Sequence, residues 1–408
     1  MDAVEVLRRY AVARSLFAPT ALLRAIRRLG FLQADPIRAP ARAQDLILRP
    51  RVRGYRAGDL ERRYPRLALD EDYYLNYGFL PSEHVCLIHP RTARRAWDRT
   101  TSRRAAQVLE FVRAAGRAHP REIQAAFPWG RMRNDWGGQS HASTRLLDAM
   151  HYRGLLRVQR REAGLRVYEP VVREGDGRSP QQKADGLVDL AVNLYAPLPA
   201  PSLRRLCTHL RAGMPHLAAH LEAPTSGARG SHSGARIDGV DWIWPRGEDP
   251  FGAHARRNFL RRDAELTLLA PFDPLVWDRL RFELFWQWSY RFEAYTPAAR
   301  RIYGYYALPM LWRGDIPGWV NLRTDQGRLR VDAGYVAGRA PRDPAFGRAL
   351  EAELDRISGF LRLGAASRAP GDQAPGDQAT GDQAPGDRQV SNGAHAAVIR
   401  NALRRSTG

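Results

Sequence analysis

The sequence predicts an α+β protein in which winged-helix units precede a small β-barrel or sheet capped by a final helix. Three observations predict it. Apolar residues at helical spacing fill much of the first 250 positions, and alternating, strand-like runs fill residues 265–340. Between about residues 100 and 170, three short helices are followed by a hairpin, which is the plan of a winged helix, a helix-turn-helix variant. At 408 residues the chain exceeds one ordinary domain, and a hydrophobic fraction of 44% is enough to bury real cores.

The elements follow in order. Residues 4–17 carry helical apolar spacing, and Pro19-Thr20 opens a second helix over 21–29 that Gly30 can end in a left-handed conformation. Phe31-Leu32-Gln33-Ala34-Asp35 reads as a short extended segment stopped by Pro36. Extended chain alternates with a period of two, so Gln33 and Asp35 are expected on one side with Phe31, opposite Leu32 and Ala34. A helix is expected over 39–48, and the aromatics of 64–90 (Tyr73, Tyr74, Tyr77, Phe79) should pack on this first unit.

In the central unit the helices are 105–115, 120–127 and 140–152, with Ser140 as N-cap, and strands at 155–159 and 165–168 flank Gly164. Its third helix and wing supply Arg145, Arg153, Arg157, Arg160 and Arg161. A weaker copy of the plan spans 182–245: helices over 187–195, 202–210 and 214–221, then strands at 235–237 and 241–244. Strand-like runs at 266–269, 291–295, 305–312, 319–324 and 329–335 are split by turn residues such as Gly314-Asp315 and Gln326-Gly327, before a closing helix over 345–361. From Gly371 the unit Gly-Asp-Gln-Ala-Pro repeats with minor change, too poor in apolar groups to offset its ordering entropy, so disorder is expected there. The resulting boundaries are 1–99, 100–175, 176–250, 251–365 and a tail 366–408.

Charge narrows the function. The formal net charge is +21, and Lys183 is the sole lysine. Codon bias in a GC-rich genome explains arginine in place of lysine, but less readily the excess of bases over acids, which points to a polyanionic partner. Nucleic acid is favoured over membrane because no basic amphipathic anchor, lipidation motif or long apolar run occurs, and the charged amino terminus lacks a signal-peptide core. Cys86 and Cys207 are far apart, and His84 and His89 form no ligand set, so neither metal nor cofactor is expected and a reducing, cytoplasmic setting is.

Three stretches carry a resemblance. They are Arg28-Leu29-Gly30-Phe31-Leu32-Gln33-Ala34-Asp35-Pro36 followed by Arg42-Ala43; Pro271-Phe272-Asp273-Pro274-Leu275-Val276-Trp277-Asp278-Arg279; and Tyr295-Thr296-Pro297 followed by Arg301-Ile302-Tyr303-Gly304-Tyr305-Tyr306-Ala307-Leu308-Pro309. Together they resemble the YcaQ-like (AlkZ/AlkX-like) winged-helix DNA glycosylases, over roughly the first 340 to 360 residues. The resemblance implies tandem winged helices and a carboxy-terminal β-barrel forming a concave DNA channel. It also implies a catalytic first unit with the Gln-x-Asp form of the family motif, Gln33 and Asp35. That form is associated with excision of N7-alkylguanine and unhooking of interstrand crosslinks, so the implied partner is double-stranded DNA carrying such lesions, bound by a monomer. The chain departs from several relatives at Gln44-Asp45, where they follow Arg-Ala with histidine, and this bears on substrate range.

The chemistry suits the residues. A cationic N7-alkylated base leaves neutral without a general acid. The enzyme must then supply a held water and negative charge beside an oxocarbenium-like sugar. Asp35 would stabilise that charge and take the water's proton, while the Gln33 amide would orient the water by donating and accepting hydrogen bonds. From spacing alone an ordinary turn with Asp35 as a cap is the commoner reading; the family-like blocks reverse that balance. A lyase activity needs an amine for a Schiff base, and Lys183 lies outside the motif, so monofunctional hydrolysis is expected. Arg38, Arg42, Arg145 and Arg153 are the expected phosphate contacts. Arg131, Arg133 and Trp136 sit in a glycine-containing loop that either probes the duplex or, more commonly for such a loop, folds Trp136 onto the core. Asp273, Asp278, Tyr305 and Tyr306 are not expected to be catalytic, Pro-Phe-Asp-Pro being as easily a structural turn. The competing readings are a winged-helix regulator with an inert Gln33-Asp35 pair and a paralogue that binds damage without cutting.

Overall fold

Helix α1 (Ala3–Ser15) leads into α2 (Leu22–Leu29), whose Leu22, Ala25 and Ile26 are fully buried, and Gly30 ends α2 with φ +78°. The computed structural model describes residues 2–93, 95–133, 139–171, 176–223, 232–252 and 265–363. Strand β1 (Leu32–Gln33) follows directly and pairs antiparallel with β3 (Tyr77–Pro81), which is also paired with β2 (Leu69–Tyr73), in a sheet of order β1-β3-β2. Gly78 makes that crossing possible: a Cβ there would lie 2.3 Å from the Leu32 carbonyl oxygen and 2.5 Å from the Phe31 ring. The helix expected over 39–48 shortens to α3 (Ala43–Leu48), and α4 (Asp59–Arg63) and α5 (Ser82–Ile88) complete the region.

The central region has the expected order. Helix α6 (Arg99–Ala115) is capped by Asp98, and α7 (Pro120–Ala126) by a His119–Glu122 capping box. A two-stranded ribbon, β4 (Arg131–Arg133) with β5 (Gln139–His141), runs directly into α8 (Ala142–Tyr152), so the N-cap is His141, the last residue of the ribbon, rather than Ser140. The hairpin β6 (Leu156–Glu162) and β7 (Leu165–Pro170) turns through Ala163 and Gly164, both at positive φ as a tight two-residue turn requires. Ala118 bridges antiparallel to Tyr168, adding a third edge to this hairpin.

Helix α9 (Pro180–Tyr195) starts earlier than expected because Ser179 and Gln182 form a capping box. Strand β8 (Leu198–Pro199), α10 (Ala200–Gly213), β9 (His232–Ile237) and β10 (Val240–Pro245) follow, in a sheet of order β8-β10-β9. The helix expected over 214–221 is only a 3-10 turn, Pro215–Leu217, because Pro215 has no amide hydrogen with which to extend a helix from α10.

The carboxy-terminal region corrects an expectation. Strands β11 (Leu266–Leu268), β12 (Leu308–Trp312), β13 (Asp315–Asp325) and β14 (Arg328–Tyr335) form an open antiparallel sheet in that order, and no closed barrel is present among the described residues. The reason lies on the edge strand. Leu268 donates its amide to the Glu353 carboxylate (2.8 Å) of helix α13 (Pro344–Leu361) instead of to another strand. A helix covering an edge removes the drive to close. Residues 291–295 are irregular rather than a strand, and between β11 and them lie α11 (Pro274–Trp277) and α12 (Arg279–Trp286). One apolar cluster runs through the described residues from Phe17 to Phe360. No described helix is long and apolar enough to cross a membrane. The repeat tail and Trp136 lie outside the described residues.

Candidate active site

The segment after Gly30 is held at the sheet edge by backbone pairing, Leu32 opposite Phe79 and Gln33 opposite Gly78, continued by Ala34 donating to the Tyr77 carbonyl (2.9 Å). Phe31 packs edge-on against Tyr74, ring centroids 5.2 Å apart. Phe31 and Leu32 are both buried, so burial does not alternate as a free strand's would: β1 is only two residues long and is enclosed on both faces. Gln33 and Asp35 are each 9% exposed, at the margin between interior and solvent.

Each of the two side chains has few partners. Asn76, in the turn between β2 and β3, donates Nδ2–H to Gln33 Oε1 (3.2 Å), leaving Nε2 without a hydrogen bond among the described residues. Asp35 Oδ1 accepts from the Ile37 amide (2.8 Å), and the Asp35 amide donates to Gln44 Oε1 (3.2 Å). No arginine, lysine or histidine among the described residues pairs with Asp35. Burial therefore pushes its carboxyl above the ordinary aspartate range, and the Ile37 bond offsets this only in part.

Gln44, which departs from the family pattern, thus holds the backbone of Asp35. Its neighbour Asp45 is turned away into a network, accepting from Tyr55 Oη (2.7 Å) and the Gly58 amide (3.1 Å), with its own carboxyl raised by burial. The far end of the chain supplies two tyrosines that feel the Asp35 charge. Tyr306 is buried, and its hydroxyl has no partner among the described residues; burial first and Asp35 second raise it above the ordinary range. Tyr295 is exposed and is raised in the same way. Sequence reasoning left Tyr306 aside, although the aromatic run around it was already a signal; nothing in the sequence pointed to Asn76.

The second motif-like block is structural. Asp273 is buried in an ion pair with Arg51 at the end of α3 (2.7 Å) and caps α11 by accepting from the Leu275 amide (3.0 Å). Asp278 is equally buried and caps α12 through the Arg281 amide (2.8 Å), while Arg281 donates to the Tyr195 and Pro274 carbonyls.

The four arginines expected to contact DNA fare differently. Arg38, two residues past the motif proline, is exposed and unpaired among the described residues. Arg42 pairs with Glu61 (2.7 Å), and its guanidinium lies beside Gly164 in the β6–β7 turn. Arg145 lies half-exposed on α8. Arg153 stacks over Trp97 (3.9 Å) and donates to the Arg95 carbonyl (3.1 Å), which makes it a brace between the first two regions. The wing arginines are also engaged: Arg157 pairs with Asp70 (3.0 Å) and Arg161 with Glu71 (2.9 Å), docking the hairpin onto β2.

The family model for AlkZ-like DNA glycosylases matches residues 26–360. The chain belongs to the AlkZ-like DNA glycosylase family. The Gln33–Asp35 segment, Tyr295 and Tyr306 all fall inside the matched span. The solved structure of the DNA glycosylase AlkZ from Streptomyces sahachiroi is similar, with a TM-score of 0.55 and 13% identity over 90% of this chain and 99% of that one, a likeness of fold. This glycosylase is accordingly an enzyme of DNA repair, and the reading as a regulator without catalysis is set aside.

Proposed function

We propose that this glycosylase is monofunctional, that Gln33 and Asp35 hydrolyse the N-glycosyl bond of cationic N7-alkylguanine-type bases in duplex DNA, and that it unhooks interstrand crosslinks built on the same linkage. The single observation that carries the reading is a buried carboxylate that has no cationic partner among the described residues, two residues from an amide whose donor is unused among them. In the step itself the C1′–N9 bond breaks, its electron pair neutralises the cationic base, and water adds to C1′ while its proton passes to Asp35. A carboxylate already paired with arginine would present little charge to the sugar; Asp35 keeps its charge available. Lys183 donates to the His89 carbonyl (2.8 Å) and pairs with Asp176 (3.5 Å), away from the motif, which supports hydrolysis without a Schiff base.

In this reading residues 1–99 form the catalytic winged-helix-like unit. Residues 100–175 and 176–250 are winged helices, and 251–365 completes a concave channel for the duplex. The protein acts as a cytoplasmic monomer, with Arg38, Arg42 and Arg145 towards DNA and Arg153 bracing the region around Trp97. The test is a duplex bearing one N7-methylguanine, incubated with protein and then treated with alkali to cut abasic sites. Strand scission is expected with the wild type and not with Asp35→Asn; a crosslinked duplex run alongside reports unhooking. No scission of either substrate by the wild type would refute the assignment.

A further inference from the structure

Six large hydrophobic side chains are exposed among the described residues, and three of them, Tyr295 (75%), Ile302 (65%) and Tyr305 (43%), belong to the single connection between α12 and β12. Such clustering on a chain this polar marks a contact surface rather than scattered exposure. The connection is also stiff. The buried Glu293 carboxylate accepts from both the Ile302 and Tyr303 amides (2.8 and 2.7 Å), and Arg301 Nε donates to the Thr296 carbonyl (2.8 Å). Asn321 of β13 clamps the other side, donating to the Tyr303 carbonyl (2.7 Å) and accepting from the Tyr306 amide (3.1 Å). Gly304, at φ +101°, is needed for this clamp because a Cβ would lie 2.4 Å from the Asn321 side chain. Three large side chains are thus held out to solvent on a stiff frame.

The surroundings point to a partner for them. Burial first and the Asp35 charge second raise the Tyr295 hydroxyl, so a duplex seated with its scissile sugar at Asp35 would also meet the apolar tip. Arg300 is exposed next to it, and the Arg301 guanidinium lies over the Tyr305 ring (5.1 Å). Apolar tips flanked by arginine suit the faces of stacked bases bordered by phosphates. We infer that Tyr295, Ile302 and Tyr305 form an apolar wedge that enters the base stack next to the nucleotide attacked by Gln33 and Asp35, parting that step. The inference rests on the catalytic reading above for its position, but it is tested separately.

The full chain carrying Tyr295→Ser and Ile302→Ser is compared with wild type and Asp35→Asn in single-turnover excision of N7-methylguanine. The lesion is placed either opposite cytosine or in a bulge, where the step is already unstacked. A 2-aminopurine beside the lesion reports unstacking on binding. The wedge variant is expected to lose at least about tenfold on the paired duplex, to lose little on the bulge, and not to raise the 2-aminopurine signal. Equal loss on both substrates, or no loss on either, overturns the wedge. Asp35→Asn is expected to raise the signal while cutting neither substrate. If Asp35→Asn cuts, the catalytic assignment fails and the wedge still stands or falls on fluorescence.

Discussion

Asp35 and Asp273 are both buried carboxylates in motif-like segments, yet their surroundings treat charge in opposite ways. Asp273 meets a fully buried guanidinium and a helix amide, so its negative charge is neutralised where it stands. Asp35 meets one backbone amide and no cation among the described residues, so desolvation is the largest influence on it. A paired charge fixes two parts of a fold; an unpaired one is open to a cation that arrives later, which in the proposed mechanism is the sugar as it develops positive charge. On the proposed reading, this difference separates a structural motif from a chemical one more sharply than either run of residues does.

The comparison can be broken most severely at Asp35. Asp35→Asn keeps an acceptor for the Ile37 amide and is expected to lower excision by about 10²- to 10⁴-fold, read as alkali-labile product per enzyme. The pH dependence follows from the direction of the shift. Because the folded-state value is raised, the carboxylate forms only at a pH above the ordinary aspartate range, and the acid limb of the excision rate should lie there. Stability runs the other way: the ionised group weakens the fold at neutral pH, and the penalty disappears as pH falls below the unfolded-state value. Asp35→Asn should therefore raise the melting temperature at pH 7 and leave it unchanged at low pH. A loss of stability at pH 7 would show that Asp35 has a cationic partner after all.

Asp273 should answer in the opposite sense. Arg51→Met strands a buried carboxylate and is expected to cost about 3–5 kcal/mol in urea unfolding at neutral pH. Any excision that survives in folded protein should keep its acid limb unmoved. The smallest effects sharpen the same contrast among the arginines. Arg38→Ala, which removes an exposed cation unpaired among the described residues, should reduce the salt slope of DNA binding by about one phosphate contact without changing the melting temperature. Arg153→Ala, which removes the stacking on Trp97, should lower the melting temperature and leave the salt slope nearly unchanged.

Sequence by itself determined what depends on neighbours in the chain. The order of three helices and a hairpin between 99 and 170, the end of α2 at Gly30, the extended segment that follows it and the turn character of Pro271-Phe272-Asp273-Pro274 were all legible, because caps, periodicity and turn chemistry act within a few residues. Tertiary structure decided the rest. Only the packed chain brings Asn76 to Gln33, leaves Asp35 without a cation among the described residues, and puts the charge of Asp35 within reach of Tyr295 and Tyr306. It also left the last sheet open, because Glu353 reaches from a distant helix to the amide that a closing strand would have used. Desolvation and non-local pairing are properties of a site in space, so no local pattern of residue types encodes them.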